Sequence, residues 1–360
     1  MKLVHIKEGL RFFGRSLSVR RKGVKKYEGT CKEICEQIIE DCWNGKHFQT
    51  SNGHFKQFYS RDFGWCTSSL LRLGYKDRVI ESLKYALEIF SKDKVRVAIT
   101  PKGQAFDFPN YAVDSLPWII HSYKMANDGS LDMYKNFLLK EVKKYAEDVF
   151  DFENNRVRDD IHFSSIKDHY KRNSSCYGNV MVAMMSKDLD DLQWNNPFKE
   201  IDFEKEITKT FWTGEYFKED INSENFSSDC NIFPFATGLI RSPRMLKSMY
   251  SKAKELGIDT PLAVKYGERD KSKEYKIVSS FASNYEGDVI WTHMGPLYIK
   301  LIKGVDYIKY REQLEKYCEM VEKYGNYLEV LDKNLKPYKS GFYFSDESML
   351  WAVNLLDMIK

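Results

Sequence analysis

Residues 307–324 read YIKYREQLEKYCEMVEKY, residues 325–344 read GNYLEVLDKNLKPYKSGFYF, and residues 345–358 read SDESMLWAVNLLDM. Apolar residues in the first stretch return every three or four positions, which predicts a helix from Tyr307 to Tyr324. The last stretch predicts a second helix, Ser345 to Met358. The twenty residues between them form a long polar loop. Helix, long loop and helix recur as a unit along the whole chain.

Working towards the N-terminus, the same spacing predicts helices at Trp291–Ile302, Pro243–Leu256, Phe203–Phe211, Tyr177–Met185, Leu131–Phe150 and Val113–Lys124. Arg78–Ser91 turns Val79, Leu83, Ala86 and Ile89 inward. Trp65–Leu73 is closed by Gly74. Cys31–Trp43 carries Ile34, Ile38, Ile39 and Cys42 on one face. With one or two weaker segments this makes about a dozen helices. The longer polar segments fall near residues 44–62, 92–112, 151–173, 212–232, 257–290 and 325–344, with strand-like pieces at Val95–Ile99 and Tyr275–Ser280. No strict repeat and no Pro- or Ser-rich linker divides the chain. We therefore expect a basic N-terminal segment, residues 1–28, and one domain, residues 29–360. Hairpins arranged in a ring, with their loops over one mouth, give an all-α fold. An irregular bundle or solenoid fits the periodicity almost as well, because periodicity does not settle closure.

Composition narrows the function classes. Hydrophobic residues make up 42% and charged residues 30% of the 360, an ordinary globular balance that fills a large core. The net charge of +4 is small and interleaved, whereas nucleic-acid binding leaves a concentrated basic stripe. The single local excess, Lys2 to Lys26, is read as a solvated arm or edge strand, with a transit peptide or an anionic partner as the alternatives. Seven Cys form no CxxC pair, so a reducing, cytoplasmic setting is expected. No apolar run approaches the roughly 20 residues of a membrane span, and no signal-peptide core is present. P-loop, dinucleotide, HExxH and GxSxG patterns are absent from the sequence, and no cofactor or metal is expected. Aromatics at 15% suit sugar stacking and core filling alike.

The polar loops hold six informative segments. Arg61-Asp62-Phe63 opens a helix, as a hydroxyl-binding pair or as an N-cap with a surface ion pair. Asp114, in Val113-Asp114-Ser115, either caps the next helix or faces a ligand. Asp159 to Arg172 clusters Asp, His, Lys and Arg ahead of Tyr177-Gly178-Asn179, as befits a carboxyl whose proton is managed; a plain solvated loop is the alternative. Ser228-Asp229-Cys230-Asn231 precedes an aromatic run. Trp291-Thr292-His293 can form a stacking wall or a piece of core. Glu329, between Leu328 and Val330, is costly to bury without a role or a partner.

Taken in order, these segments resemble the six-hairpin glycosidases, especially the family 100 alkaline and neutral invertases and more distantly families 63 and 15. The matching residues are Arg61-Asp62-Phe63, Val113-Asp114-Ser115 with Trp118, Ile166-Lys167-Asp168 with Arg172 and Tyr177-Gly178, and Tyr327-Leu328-Glu329 with Tyr338 and Trp351. Their shared order spans roughly residues 50–355. The chain departs from that pattern in three ways. Lys167 is inserted before Asp168, Leu328 stands where the family has Pro, and the chain is shorter than the invertases. The segments around Asn231 and His293 look more like the sugar-lining loops of related glucosidases and debranching enzymes.

The resemblance implies an (α/α)6 toroid and an inverting hydrolase of a small, α-linked, glucose-containing saccharide. Asp168 would be the general acid, with Asp160 in the same loop as second choice, and Glu329 the general base, ionised to draw a proton from water. Arg61, Asp62, Asp114, Arg172, Asn231, Trp291 and His293 would bind substrate. A phosphorylase, with cations where Glu329 sits, is one alternative; a toroid that binds glycans or proteins without cutting them is another. Partners beyond carbohydrate, whether nucleic acid or membrane, are not expected.

Overall fold

The computed structural model describes residues 3–267, 270–275 and 282–360, and among them thirteen α-helices and nine short strands. Helix α1 (Leu3–Lys22) stands outside the repeat. Six outer helices follow: α2 (Cys31–Cys42), α4 (Lys76–Phe90), α6 (Lys135–Val149), α8 (Phe203–Phe211), α10 (Pro243–Glu255) and α12 (Tyr307–Tyr324). They alternate with six inner ones: α3 (Ser60–Arg72), α5 (Ser115–Ala126), α7 (Cys176–Asp191), α9 (Ser228–Ala236), α11 (Gly295–Ile302) and α13 (Ala352–Ile359).

Burial explains which helices go inside. Outer helices are amphipathic: α2 hides Ile34, Cys35, Ile38, Ile39 and Cys42 and exposes its charges, and a reciprocal capping box between Thr30 and Glu33 starts it. Inner helices are buried nearly all round, as α7 is from Cys176 to Ser186, which requires neighbours on every side. Each inner helix packs on the next, and α13 returns to α3, so the ring closes. The fold is an (α/α)6 toroid. The tightest approach is α3 to α5, where a Cβ at Gly64 would meet the Trp118 Cβ at 2.6 Å.

The long connections all run from an outer helix into the next inner one, so they gather at the N-terminal ends of the inner ring. Short ladders knit them together. Strands β1 (Phe58–Tyr59), β2 (Ala98–Ile99) and β3 (Ala105–Phe106) form one antiparallel sheet joining the first two loops. Hairpins β4 (Phe150–Asp151) with β5 (Arg156–Val157), and β6 (Lys218–Asp220) with β7 (Ser223–Phe226), stiffen the third and fourth. Strand β8 (Ile290–Trp291) pairs with β9 (Val330–Leu331), setting Trp291 opposite Val330 and fastening the fifth loop to the sixth. A Ser51–Met349 bridge ties the sixth back to the first.

Several elements differ from the sequence expectation. The helices expected from Trp291 and Ser345 begin instead at Gly295 and Ala352, because the residues before them still belong to the fifth and sixth loops. The basic N-terminus is neither a solvated arm nor an edge strand but helix α1, which lies on the mouth loops. Val4, Ser16 and Val19 are buried beneath it, His5 Nε2 bonds the Asp107 carbonyl at 2.9 Å, and Arg15 pairs with Glu347. Helix α9 escapes the periodicity because Pro234 lies inside it. The expected strand from Tyr275 falls, at 276–280, outside the described residues. Among the described residues no helix is long and apolar enough to cross a membrane.

Candidate active site

Inner-helix N-termini carry unpaired backbone N–H groups and the positive end of the helix dipole, so carboxylates are favoured there. Asp62 sits in the first turn of α3, Asp114 stands at the N-cap position of α5 without a side-chain capping bond, and Asp229 opens α9. Arg61 joins two of the mouth's carboxylates. Its Nε donates to Asp114 Oδ2 at 2.7 Å, and its Nη2 lies 3.5 Å from Asp168 Oδ1. The Tyr177 hydroxyl also donates to Asp114 Oδ2, at 2.9 Å. Ser164 Oγ donates to Asp168 at 2.6 Å. Burial raises the Asp168 pKa against the pull of Arg61 and Ser164, yet its side chain keeps 21% exposure, opening onto the mouth. Asp62 accepts from the Trp351 indole at 2.9 Å, and burial lifts it to about 7 although Arg61 opposes this.

Glu329 is held from three sides. The hydroxyls of Tyr285 and Tyr343 donate to its carboxyl, the latter at 2.6 Å, and the Asp346 N–H donates at 2.9 Å. Its own N–H reaches the Asp346 carbonyl at 3.0 Å, while its carbonyl accepts from Thr292 N at 3.2 Å. Burial, then the charge of Asp346, lifts the group to about 8 in spite of the three donors. A carboxyl that the sequence alone would leave ionised therefore holds its proton near neutral pH.

Ring order places the two carboxyls. Asp168 comes from the loop entering α7 and Glu329 from the loop entering α13, third and sixth in a closed ring of six, hence from opposite sides. The third loop meets the fifth where the His169 ring stacks on Tyr285, 5.1 Å between centroids, and the Tyr285 hydroxyl in turn reaches Glu329 of the sixth. Glu286, which carries no signal in the sequence, also faces this junction. It accepts from the His169 N–H at 2.9 Å, and burial with the nearby Asp168 charge lifts it to about 8.

The floor is aromatic. His293 stacks on Trp65 at 5.0 Å and 18° and also packs on Trp351. Burial holds its pKa well below the usual range, so the ring is neutral. Trp291 packs on Tyr285 at 4.7 Å and donates its indole N–H to the Tyr285 carbonyl at 2.6 Å; it braces the tyrosine that serves Glu329. Buried polar atoms without a hydrogen bond cluster here: Arg61 Nη2, Asp114 Oδ1, Ser115 Oγ, His169 Nδ1 and His293 Nδ1. Groups of this kind suit a hydroxyl-rich ligand.

Three sequence candidates have their side chains engaged by other parts of the protein. The Asn231 carboxamide is wholly engaged by backbone, accepting from Phe217 N and donating to Phe217 O and Ser227 O, so it is a strut. Arg172 is a clamp, with Asp229 at 2.6 Å and Ser165 at 2.7 Å, fastening the third loop to α9. Asp160 is a surface partner of Arg158, its side chain 62% exposed.

The inserted Lys167 turns away from Asp168 and meets Glu219 at 2.7 Å, both side chains buried. Burial would raise Glu219, but Lys167, Arg172 and Lys273 hold it at about 2 instead of 4.5. Glu219→Gln is expected to cost about 3 kcal/mol at pH 7, since it strands a buried lysine. That stabilisation is full above pH 4.5 and is lost as pH falls through 2. Urea melts should therefore show the gap between wild type and variant closing over that window; a gap constant to pH 2 would contradict the pairing.

No protein-family model and no curated protein matches this sequence. Solved structures do. A glycosidase variant in complex with glucose superposes with a TM-score of 0.66 at 10% identity, over 98% of this chain and 97% of that one. A rhamnosidase from Klebsiella oxytoca with rhamnose bound gives 0.62 at 11% identity, over 91% of this chain and 62% of that one. The GH63 mannosylglycerate hydrolase from Thermus thermophilus, with Tris and D-glycerate, gives 0.58 at 10%, over 92% and 100%. At these identities what is shared is the fold, and the chain has the six-hairpin toroid of these glycosidases.

Proposed function

We propose that the protein is an inverting glycoside hydrolase acting in the cytoplasm on a small, α-linked, glucose-containing saccharide. The observation that carries this reading is a part-buried Asp168 and a buried Glu329 on the third and sixth of the six loops that gather over one aromatic floor. An inverting enzyme needs its carboxyls about 6.5–9.5 Å apart, so that water fits between sugar and base. Asp168 protonates the leaving oxygen and Glu329 takes a proton from the water. Arg61, Asp62 and Asp114 hold hydroxyls of the reacting sugar, and His293 with Trp65 forms its floor. The glycosidase, rhamnosidase and mannosylglycerate hydrolase of like fold support this choice of chemistry. Phosphorolysis is disfavoured by the surroundings of Glu329, where its hydrogen-bond donors are two tyrosines and a backbone N–H and no cation is hydrogen-bonded to it among the described residues.

The test is a panel of α-glucosides, sucrose, trehalose and short α-glucans, with and without phosphate, followed by proton NMR. Release of the β-anomer at a rate indifferent to phosphate is expected. Release of the α-anomer would remove the inverting assignment, and turnover only with phosphate would replace hydrolysis by phosphorolysis.

A further inference from the structure

The toroid has a second concavity at the end opposite the mouth. It measures about 350 Å³ and opens between the C-terminal turns of the inner helices. That size falls in the range of small-molecule sites, roughly 300–1,000 Å³. Arg72, His121, Lys124, Lys187 and Lys300 line it against two carboxylates, Asp188 and Asp357. Asp357 holds Arg72; Asp188 holds His121 and Lys124; Asp191, just outside the lining, holds Lys124 and Lys187. Four Lys and Arg side chains against Asp188, Asp191 and Asp357 leave the rim a net charge of about +1, with Lys300 in none of these pairs. Cations at helix C-termini are favoured by the dipole, which accounts for their sign but not for a pit with an aromatic wall between them. Trp65, Trp118 and Phe233 supply that wall, and the Trp65 indole N–H is buried without a partner.

We propose that this rear pit binds a small organic phosphate. A phosphoryl group carries a charge of about −1.5 to −2 at neutral pH and three acceptor oxygens, suited to a positive rim. The wall accommodates an apolar or planar body, and Ser68 and Ser69 in the lining offer hydroxyls. The same Trp65 stacks on His293 of the catalytic floor, so an occupant would lean on the back of the active site. None of this depends on the hydrolase assignment, since the site is defined by binding.

The experiment titrates the full chain with inorganic phosphate, glucose 6-phosphate and adenosine monophosphate, read by calorimetry and tryptophan fluorescence, with adenosine as the uncharged control. Saturable binding that the pit variants weaken or remove is expected for at least one anion and not for adenosine. Lys187→Ala and Lys300→Ala should each weaken it about tenfold, and Ala236→Trp, which adds bulk to the lining without removing charge, should abolish it. Equal affinity for all three anions would assign the free phosphate group; preference for the sugar or the nucleotide would identify the body. Absence of saturation by any anion at about 10 mM, or unchanged affinity in both lysine variants, would overturn the proposal.

Discussion

Glu329→Gln should destroy activity and raise stability together. The expected loss in kcat/KM is about 10³-fold, within the span attributed to general acid–base groups. The fold should tolerate the change, because Tyr285 and Tyr343 can still meet an amide and because the wild-type group, lifted to about 8, is mostly protonated at pH 7. The stability effect has a definite sign. A carboxyl raised from 4.5 to about 8 by burial ionises first in the unfolded chain, so wild-type stability declines as pH climbs from 4.5 to 8 and is level above. The amide lacks that decline, and thermal melts at pH 8 should place the variant above wild type. On the proposed mechanism the working form of the singly protonated pair carries its proton on Asp168 and leaves Glu329 ionised, which gives a bell-shaped pH profile with its alkaline limb near 8. A variant that keeps its activity, or that loses it only through unfolding, would remove Glu329 from the mechanism.

Helix placement was legible where local signals were strong. Tyr307–Tyr324 and Phe203–Phe211 agree with the structure to the residue, since Asp306 and Asp202 cap their starts and a left-handed Gly325 stops the longer one. Closure of the ring was not legible. It rests on α13 meeting α3 across nearly the whole chain, and no spacing rule carries that information. Helix α1 was hidden by its own charge density. Its inward face is made of Val4, Ser16 and Val19, too modest a stripe to stand out among nine Lys and Arg between Lys2 and Lys26.

The site divides in the same way. Arg61, Asp62 and Asp114 stand at helix entrances with aromatic neighbours, a pattern visible in the chain, and the structure joins Arg61 to Asp114 directly. Glu286 carried no signal, because what makes it unusual is burial beside Asp168 and a bond from His169, 117 residues away in the chain. Asn231 and Arg172 show the converse. Their side chains look free in sequence, but Phe217 backbone and Asp229 take them up once the fourth loop folds against α9. Residue type announced chemistry; only the closed ring decided which groups were left over to do it.

Asp168→Asn provides the second large effect and separates the acid from the base. On an ordinary saccharide, whose leaving oxygen must be protonated as the bond breaks, the expected loss in kcat is about 10²–10⁴. On α-glucosyl fluoride, which departs as fluoride without a proton, the same variant should stay within about tenfold of wild type. Glu329→Gln should fail on both substrates, since water must be activated in either case. Structure favours this division. Asp168 combines a raised pKa with an opening onto the mouth, as a proton donor requires, whereas the two Glu329 carboxyl oxygens each accept from a tyrosine hydroxyl. Equal losses on saccharide and fluoride would make Asp168 a positioning residue that acts through Arg61. The acid would then be sought at Glu286, the neighbouring carboxyl already held protonated at about 8, and Glu286→Gln should show the leaving-group dependence that Asp168→Asn had lacked.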